Sequence, residues 1–544
     1  MAAVSAPDPV SGLLEVVTDV SREFAGDESI RPGLDAAPKP ELGDFSSNAA
    51  MLMAKPLARP PREIARELAE RVGDRLGDSL KRTEVAGPGF LNLFMSDAWY
   101  RGAVSDLAGS EAPVPPVRDP EKVLLEFVSA NPTGPLTAAS GRHAAYGDAV
   151  ARLLRRTGHQ VSTEYYVNDG GSQVENFGLS IAARMEGREP PENGYRGDYV
   201  NRLAEQARIE GIDADEVERL TLEGVAWMVE SIRNSLEAFG VGMDDFFSER
   251  SLYERGLVER GIERLREAGH TFEEEGALWL RTTEFGDDKD RVLVRSGGEP
   301  TYFGADVAYH ADKVERGHFR LLDVLGADHH GYVARMDAAV HSMGRDVDFE
   351  ARILQMIHLV EGGQRTKMSK RAGDIVTLDE LVADIGSDAA RFFLLQRSHD
   401  RTFDLDLDLA RSQSSDNPVY YVQYAHARIR SILRKASGRG AAGEGTPADP
   451  TSVPPVDPAE KALIANLLAF PAEVHEAAAR RAPHRICAYS TETAASFHAF
   501  YRDCQVIGAE GEGLEAARLA LCESTAATLG ASLQLLGISA PESM

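Results

Sequence analysis

Cysteine is nearly absent. Only Cys487, Cys504 and Cys522 occur in 544 residues, all near the C-terminus and without a CxxC spacing. That excludes a disulfide framework and paired-thiol zinc or redox chemistry, and leaves buried free thiols in helices as the expectation. Long apolar runs are missing too: nothing approaches the roughly 18 residues of a membrane span, and the first residues, MAAVSAPDPV, have neither a basic start nor an apolar stretch. A cytoplasmic protein with no membrane partner is expected. Positive charge is scarce, with 86 acidic against 59 basic residues and a net charge of −27. This argues against indiscriminate coating of nucleic acid, so a nucleic-acid partner would have to be met by local basic patches.

What is present suits a globular chain, 43% hydrophobic and 27% charged. Domains run to roughly 100–200 residues, so about three are expected. Residues 1–110 read as a small mixed unit. In it Ile64, Leu68, Val72 and Leu76 recur every fourth position as one helix face, and Ala86 to Leu91 forms a turn feeding a strand. A proline-rich linker, Glu111 to Pro120, follows. Val123 to Val128 is then a nearly continuous apolar run closed by Asn131-Pro132-Thr133-Gly134-Pro135. A helical pattern from Ser140 to Arg156, with Ala145, Ala149, Leu153 and Leu154 on one side and Gly158 as its stop, leads into a strand at Val161 to Val167. This order predicts a parallel α/β domain, residues 118–405, with ligands at the carboxyl ends of its strands. A charged helical insertion is expected near 178–290. A further strand, Leu321 to Leu325, again ends in polar residues, Gly326-Ala327-Asp328-His329-His330-Gly331. Residues 406–544 read as helical, interrupted by an Ala/Gly/Pro-rich connector at 437–458.

The segment from Gly362 to Asp374 places four cations, Arg365, Lys367, Lys370 and Arg371, within seven residues of a glycine-flanked loop. Such a loop can close over a polyphosphate and neutralise a departing pyrophosphate, although short basic turns are also common on surfaces. In the tail, Val422, Ala425, Ile429 and Ile432 make an apolar helix face, while Arg428, Arg430, Arg434 and Lys435 load the remaining surface with positive charge. In so acidic a chain, that reversal is what contact with an RNA backbone requires.

Lys367-Met368-Ser369-Lys370 resembles the Lys-Met-Ser-Lys signature of class I aminoacyl-tRNA synthetases, and the surrounding words narrow the likeness to the arginyl family. Glu126 to Leu136 is similar to that family's first strand and loop. So are Glu164 to Asp169, Gly326 to Tyr332 and Asn417 to His426, while Gly43-Asp44-Phe45 with Asn48 and Gly87-Pro88-Gly89-Phe90 resemble its extra N-terminal domain. The resemblance implies a multidomain α/β protein: a Rossmann-like parallel-sheet catalytic domain, a small α+β N-terminal domain that contacts tRNA, and an all-α C-terminal domain that binds the anticodon. It implies an ATP-dependent ligase, monomeric, with L-arginine and tRNA(Arg) as partners and Mg2+ carried on the ATP phosphates, with no dedicated metal site. The first step, formation of arginyl-adenylate, is expected to depend on bound tRNA.

By the same resemblance, Lys367, Met368, Ser369 and Lys370 serve catalysis. Pro135, Leu136, Thr137, Ala138, Ala139, Ser140, Gly326, Asp328 and His329 bind ATP, and Glu126, Ser129, Asn131, Tyr302, Asp306 and His330 bind arginine. Arg428, Arg430, Arg434 and Lys435 bind tRNA. Tyr302 and Asp306, four residues apart, share a helix face. One departure stands out. Where the family carries His-x-Gly-His, this chain has Thr137-Ala138-Ala139-Ser140, and both imidazoles are gone. Phosphate binding there would fall to the helix N-terminus, the two hydroxyls, His143 and Arg142. A loss of this kind commonly costs about 10²–10³ in rate. Two other readings therefore stay open at this point: an impaired relative that binds tRNA or arginine, and an adenylate-forming enzyme acting outside translation.

Overall fold

The computed structural model describes residues 8–109, 112–344, 347–365, 376–438 and 455–544. Lys367, Met368, Ser369 and Lys370, and most of the 437–458 connector, lie outside the described residues. The N-terminal unit is a four-stranded antiparallel sheet, in the order Leu34–Ala36, Phe45–Ser47, Phe90–Met95, Leu80–Ala86. Ile64, Leu68 and Val72 lie fully buried on the Pro61–Leu76 helix that packs on it. The turn at Ala86 to Leu91 joins the last two strands as a hairpin.

The central sheet is entirely parallel, with five strands in the order Asp348–Leu354, Arg320–Gly326, Lys122–Glu126, Gln160–Val167, Asp245–Ser248. Side chains alternate between its faces, and both faces are covered. Val123, Leu125, Tyr165, Leu322 and Val324 pack with the helix Ala138–Arg156. Leu124, Leu321, Phe247 and Phe349 pack with the helices Leu257–Glu267 and Tyr302–Glu315. Gly147 is needed where the first of these helices crosses the sheet, because a Cβ there would lie 2.1 Å from the Phe127 ring. The chain runs outward from Lys122–Glu126 in one direction, then returns to build Arg320–Gly326 on its other side. This reversal opens a crevice at the carboxyl ends of the two strands.

The stretch 178–290 is less purely helical than its charge pattern predicts. The helices Ser172–Met185, Asp198–Ile209 and Val217–Ala238 are followed by Asp245–Ser248, the edge strand of the central sheet, and later by a separate antiparallel sheet of Thr271–Glu274, Ala277–Leu280 and Arg291–Val294. These strands have only four residues each, too short for a period of two to stand out from charged surroundings. Among the described residues the C-terminal unit is helical from Pro418, with Val422, Ala425, Ile429 and Ile432 buried. Cys487, Cys504 and Cys522 are free and buried, and burial raises all three thiols above their ordinary range, which keeps them unreactive. No described helix is long and apolar enough to cross a membrane.

Candidate active site

Three acidic residues stand side by side across the central sheet, with Asp323 in register with Glu126 and Glu126 in register with Glu164. Like charges directly opposite one another repel. The helix Tyr302–Glu315 and the turn after it answer from above. Lys313 Nζ donates to Glu126 Oε2 at 2.7 Å and to Asp323 Oδ1 at 3.1 Å, and Arg316 Nη1 donates to Glu164 Oε2 at 2.6 Å. Burial opposes both members of the Lys313–Asp323 pair, yet their partners hold the ammonium above and the carboxyl below its ordinary range. This charged layer is the floor of the crevice.

Above it lies a second pair of carboxylates. Asp306 is half-buried on the Tyr302–Glu315 helix and receives the Tyr332 phenol, while Glu249, 8% exposed, receives the Tyr166 phenol just past the edge strand. Burial, then the nearby Glu126 and Asp323, push Asp306 up to about 6 against the pull of His310 and Tyr332. Burial, then Asp306 and Asp169, push Glu249 up to about 7. Two carboxylates that repel each other beside aromatic rings can share one delocalised cation, and a planar guanidinium with five donors suits such a pair. Glu249 is absent from the sequence-based set of site residues. Its signal was the rule applied at Leu325, polar residues just past a strand end, but the strand before it is too short to be seen.

The turn after Lys122–Glu126 is strained: Val128 has φ 71° and Ser129 φ 40°. Left-handed geometry in a β-branched residue is a true outlier costing of order 1–3 kcal/mol, and such outliers concentrate at functional sites. Ser129 Oγ donates to Glu126 Oε1 at 2.9 Å and accepts from the Tyr166 N–H at 3.1 Å. Both oxygens of Glu126 are thus engaged by the fold, one by Ser129 and one by Lys313. Asn131 itself is exposed and donates to Gln173 at 2.8 Å. Tyr302 is 74% exposed at the mouth, with its hydroxyl against Gly171. Asp328, His329 and His330 are exposed beyond the strand Arg320–Gly326.

Thr137 caps the helix Ala138–Arg156, its Oγ1 accepting from the Ser140 N–H at 3.2 Å and lying 3.1 Å from Ser140 Oγ. The Ala138 N–H donates to the Val376 carbonyl at 3.0 Å and the Leu378 N–H to the Leu136 carbonyl at 2.8 Å. Two of the first N–H groups are therefore already used, and the helix start is stitched to the residues that follow the lysine segment. At the other border of that segment, Gly362 and Gly363, at φ 57° and 75°, make the tight hairpin that pairs Gln364 and Arg365 with Glu361 and Val360. Arg142 is buried and committed to the carbonyls of Gln355 and Ser398. His143 lies beside the Val324 backbone and close to Gly326, and burial, with Arg142 next, lowers its imidazole to about 4. Neither is free to replace a phosphate-binding imidazole at the helix start.

In the C-terminal unit the basic face is partly occupied. Arg430 donates to Glu542 at 2.7 Å, Arg434 to the Glu542 carbonyl at 2.9 Å, and the Arg428 guanidinium lies 4.5 Å over Tyr501.

A doubly covered parallel sheet, with its crevice at the strand ends and a helix start tied to the residues that follow the lysine segment, is the architecture of a class I aminoacyl-tRNA synthetase catalytic domain. Family models agree in chain order: "Arginyl tRNA synthetase N terminal domain" over residues 12–95, "tRNA synthetases class I (R), catalytic domain" over 210–415, and "DALR anticodon binding domain" over 422–544. Arginine–tRNA ligase of Shouchella clausii is 43% identical over 544 aligned residues, 96% of each chain, and that of Desulforudis audaxviator 46% over 517, 92% of each. The Thermus thermophilus arginyl-tRNA synthetase structure superposes with a TM-score of 0.76 at 26% identity, covering 98% of this chain and all of that one. The chain belongs to the arginyl-tRNA synthetase family, whose members use ATP as substrate. Near-complete likeness to curated arginine–tRNA ligases, with the class I catalytic domain, supports arginine–tRNA ligase function and favours neither of the other readings left open by Thr137-Ala138-Ala139-Ser140.

Proposed function

We propose that this chain ligates arginine to tRNA(Arg) in the cytoplasm as a monomer. In the first step the arginine carboxylate attacks the α-phosphorus of ATP, forming the arginyl-adenylate anhydride and releasing pyrophosphate. In the second, a terminal ribose hydroxyl of the tRNA attacks the activated carbonyl, forming the ester and releasing AMP. No side-chain nucleophile is required, because positioning and charge stabilisation suffice.

The observation that carries this reading is the Glu249–Asp306 pair, poised at the switch-point crevice for a guanidinium. Asn131 and His330 take the main-chain end of the amino acid, and Tyr302 closes the mouth over its side chain. ATP lies along Pro135, Leu136, Thr137, Ala138, Ala139 and Ser140 with its nucleoside toward Gly326, Asp328 and His329. Magnesium arrives on its phosphates as part of the substrate. Lys367, Met368, Ser369 and Lys370 supply the charge that the missing imidazoles do not. Arg428 and Lys435, with Arg430 and Arg434 around Glu542, face the tRNA. Arginine-dependent ATP–pyrophosphate exchange tests the first step: exchange is expected only when tRNA is present, and equal rates with and without it contradict the tRNA dependence.

A further inference from the structure

The strained turn at Val128 and Ser129 needs a cause. Within the turn the Ser129 N–H donates to the Phe127 carbonyl at 3.1 Å, and three further contacts hold it. Tyr165 Oη donates to the Ala130 carbonyl at 2.7 Å, the Tyr166 N–H donates to Ser129 Oγ at 3.1 Å, and Ser129 Oγ donates to Glu126 Oε1 at 2.9 Å. The last contact depends on where the Glu126 carboxylate sits, and that is fixed from the opposite side by Lys313 Nζ at 2.7 Å. Lys313 is fully buried, with its ammonium 4.3 Å from the centre of the Tyr309 ring and a second anchor on Asp323 at 3.1 Å. A buried ammonium between two carboxylates has one low-energy position, so it locates both of them. The chain of contacts runs from the helix Tyr302–Glu315, which also carries Asp306, to the turn that leads into Asn131. The two ends of one amino-acid substrate are thereby set from a single helix.

We propose that Lys313 is a positioning residue: through Glu126 and Ser129 it holds the Val128–Ser129 turn in its left-handed form and so fixes Asn131 against the main-chain end of the amino-acid substrate. The proposal rests on the arginine-binding reading above and adds a positioning role to it. Lys313 touches no substrate. Its positioning effect is therefore confined to ligands that reach the turn, while its charge also bears on the carboxylate pair through Glu126 and Asp323.

Lys313→Met and Ser129→Ala break the same chain at different links, the second without unbalancing a buried charge. Binding of L-arginine and of N-butylguanidine, which has the cation but no α-amino or carboxylate group, is measured by calorimetry on the full-length wild type, each variant and the double variant. Each single variant is expected to weaken arginine about tenfold, the scale of one lost hydrogen bond, and Ser129→Ala, which leaves the buried charges balanced, to leave N-butylguanidine within about twofold. The double variant is expected to be no weaker than the worse single one, since contacts in one chain are not additive. Independent, multiplying losses overturn the proposal, as does equal weakening of both ligands in Ser129→Ala. If Lys313→Met does not fold, Ser129→Ala decides alone, and unchanged arginine binding in it overturns the proposal. A wild type that binds lysine as tightly as arginine counts against the arginine reading and not against the relay.

Discussion

In the proposed arginine-binding reading, single carboxylates set what the crevice accepts. Asp306→Asn removes one arm of the cation receptor and leaves Glu249 with a neutral neighbour. The KM for arginine is expected to rise at least about thirtyfold, the lower end for truncating one partner of a buried charge pair, with the KM for ATP nearly unchanged in steady-state aminoacylation. Acid has a related effect. With Glu249 pushed up to about 7 and Asp306 up to about 6, both are largely neutral at pH 5.5 and ionised at pH 8. Because these values are raised on folding, the free protein loses stability as pH rises through this window, and a bound guanidinium restores it. The upward shift in Tm produced by arginine is therefore expected to be larger at pH 8 than at pH 5.5. A shift that does not change with pH contradicts the pairing. At this scale the sequence spoke unevenly: Asp306 and Asn131 were legible through motif likeness, whereas Glu249 follows a four-residue strand that no periodicity reveals.

Among the elements, the helix Ala138–Arg156 carries the departure from the family motif. Its start, two residues before the expected Ser140, is set by Thr137, whose hydroxyl satisfies the Ser140 N–H. Thr137→Ala is expected to lower unfolding stability by about 1 kcal/mol, the usual worth of such a cap, as read from the urea midpoint. The KM for ATP is expected to rise as well, because Ala138 and Leu136 tie this turn to Val376 and Leu378 beside the lysine segment. An unchanged midpoint contradicts the capping role. The central strands were readable because burial on both faces makes them continuous apolar runs. The small antiparallel sheet within 271–294 was not, since each strand has only four residues and lies in charged surroundings. The stitch from Leu136 to Leu378 spans residues far apart in sequence, and no local pattern predicts it.

At the scale of the molecule, the N-terminal and C-terminal units meet over a buried ion cluster. Glu460, fully buried, accepts from Arg101 at 2.9 Å and from Arg518 at 2.6 Å. Glu460→Gln leaves buried cations short of their counter-charge, and stability is expected to fall by about 3–5 kcal/mol. Urea unfolding checks this, and a change below about 0.5 kcal/mol contradicts the cluster's role in docking the two units. Three units were legible from composition and linkers, but their contact was not, because Arg101 and Glu460 each read alone as surface charges. The central claim is that the strand-end crevice selects a guanidinium amino acid for transfer to RNA. Charging of total tRNA with labelled arginine and labelled lysine, by the wild type and by Asp306→Asn, tests it most directly. Arginine charging by the wild type, no lysine charging, and loss of arginine charging in the variant are expected. Wild-type protein that charges neither amino acid, or a variant that charges arginine undiminished, contradicts it.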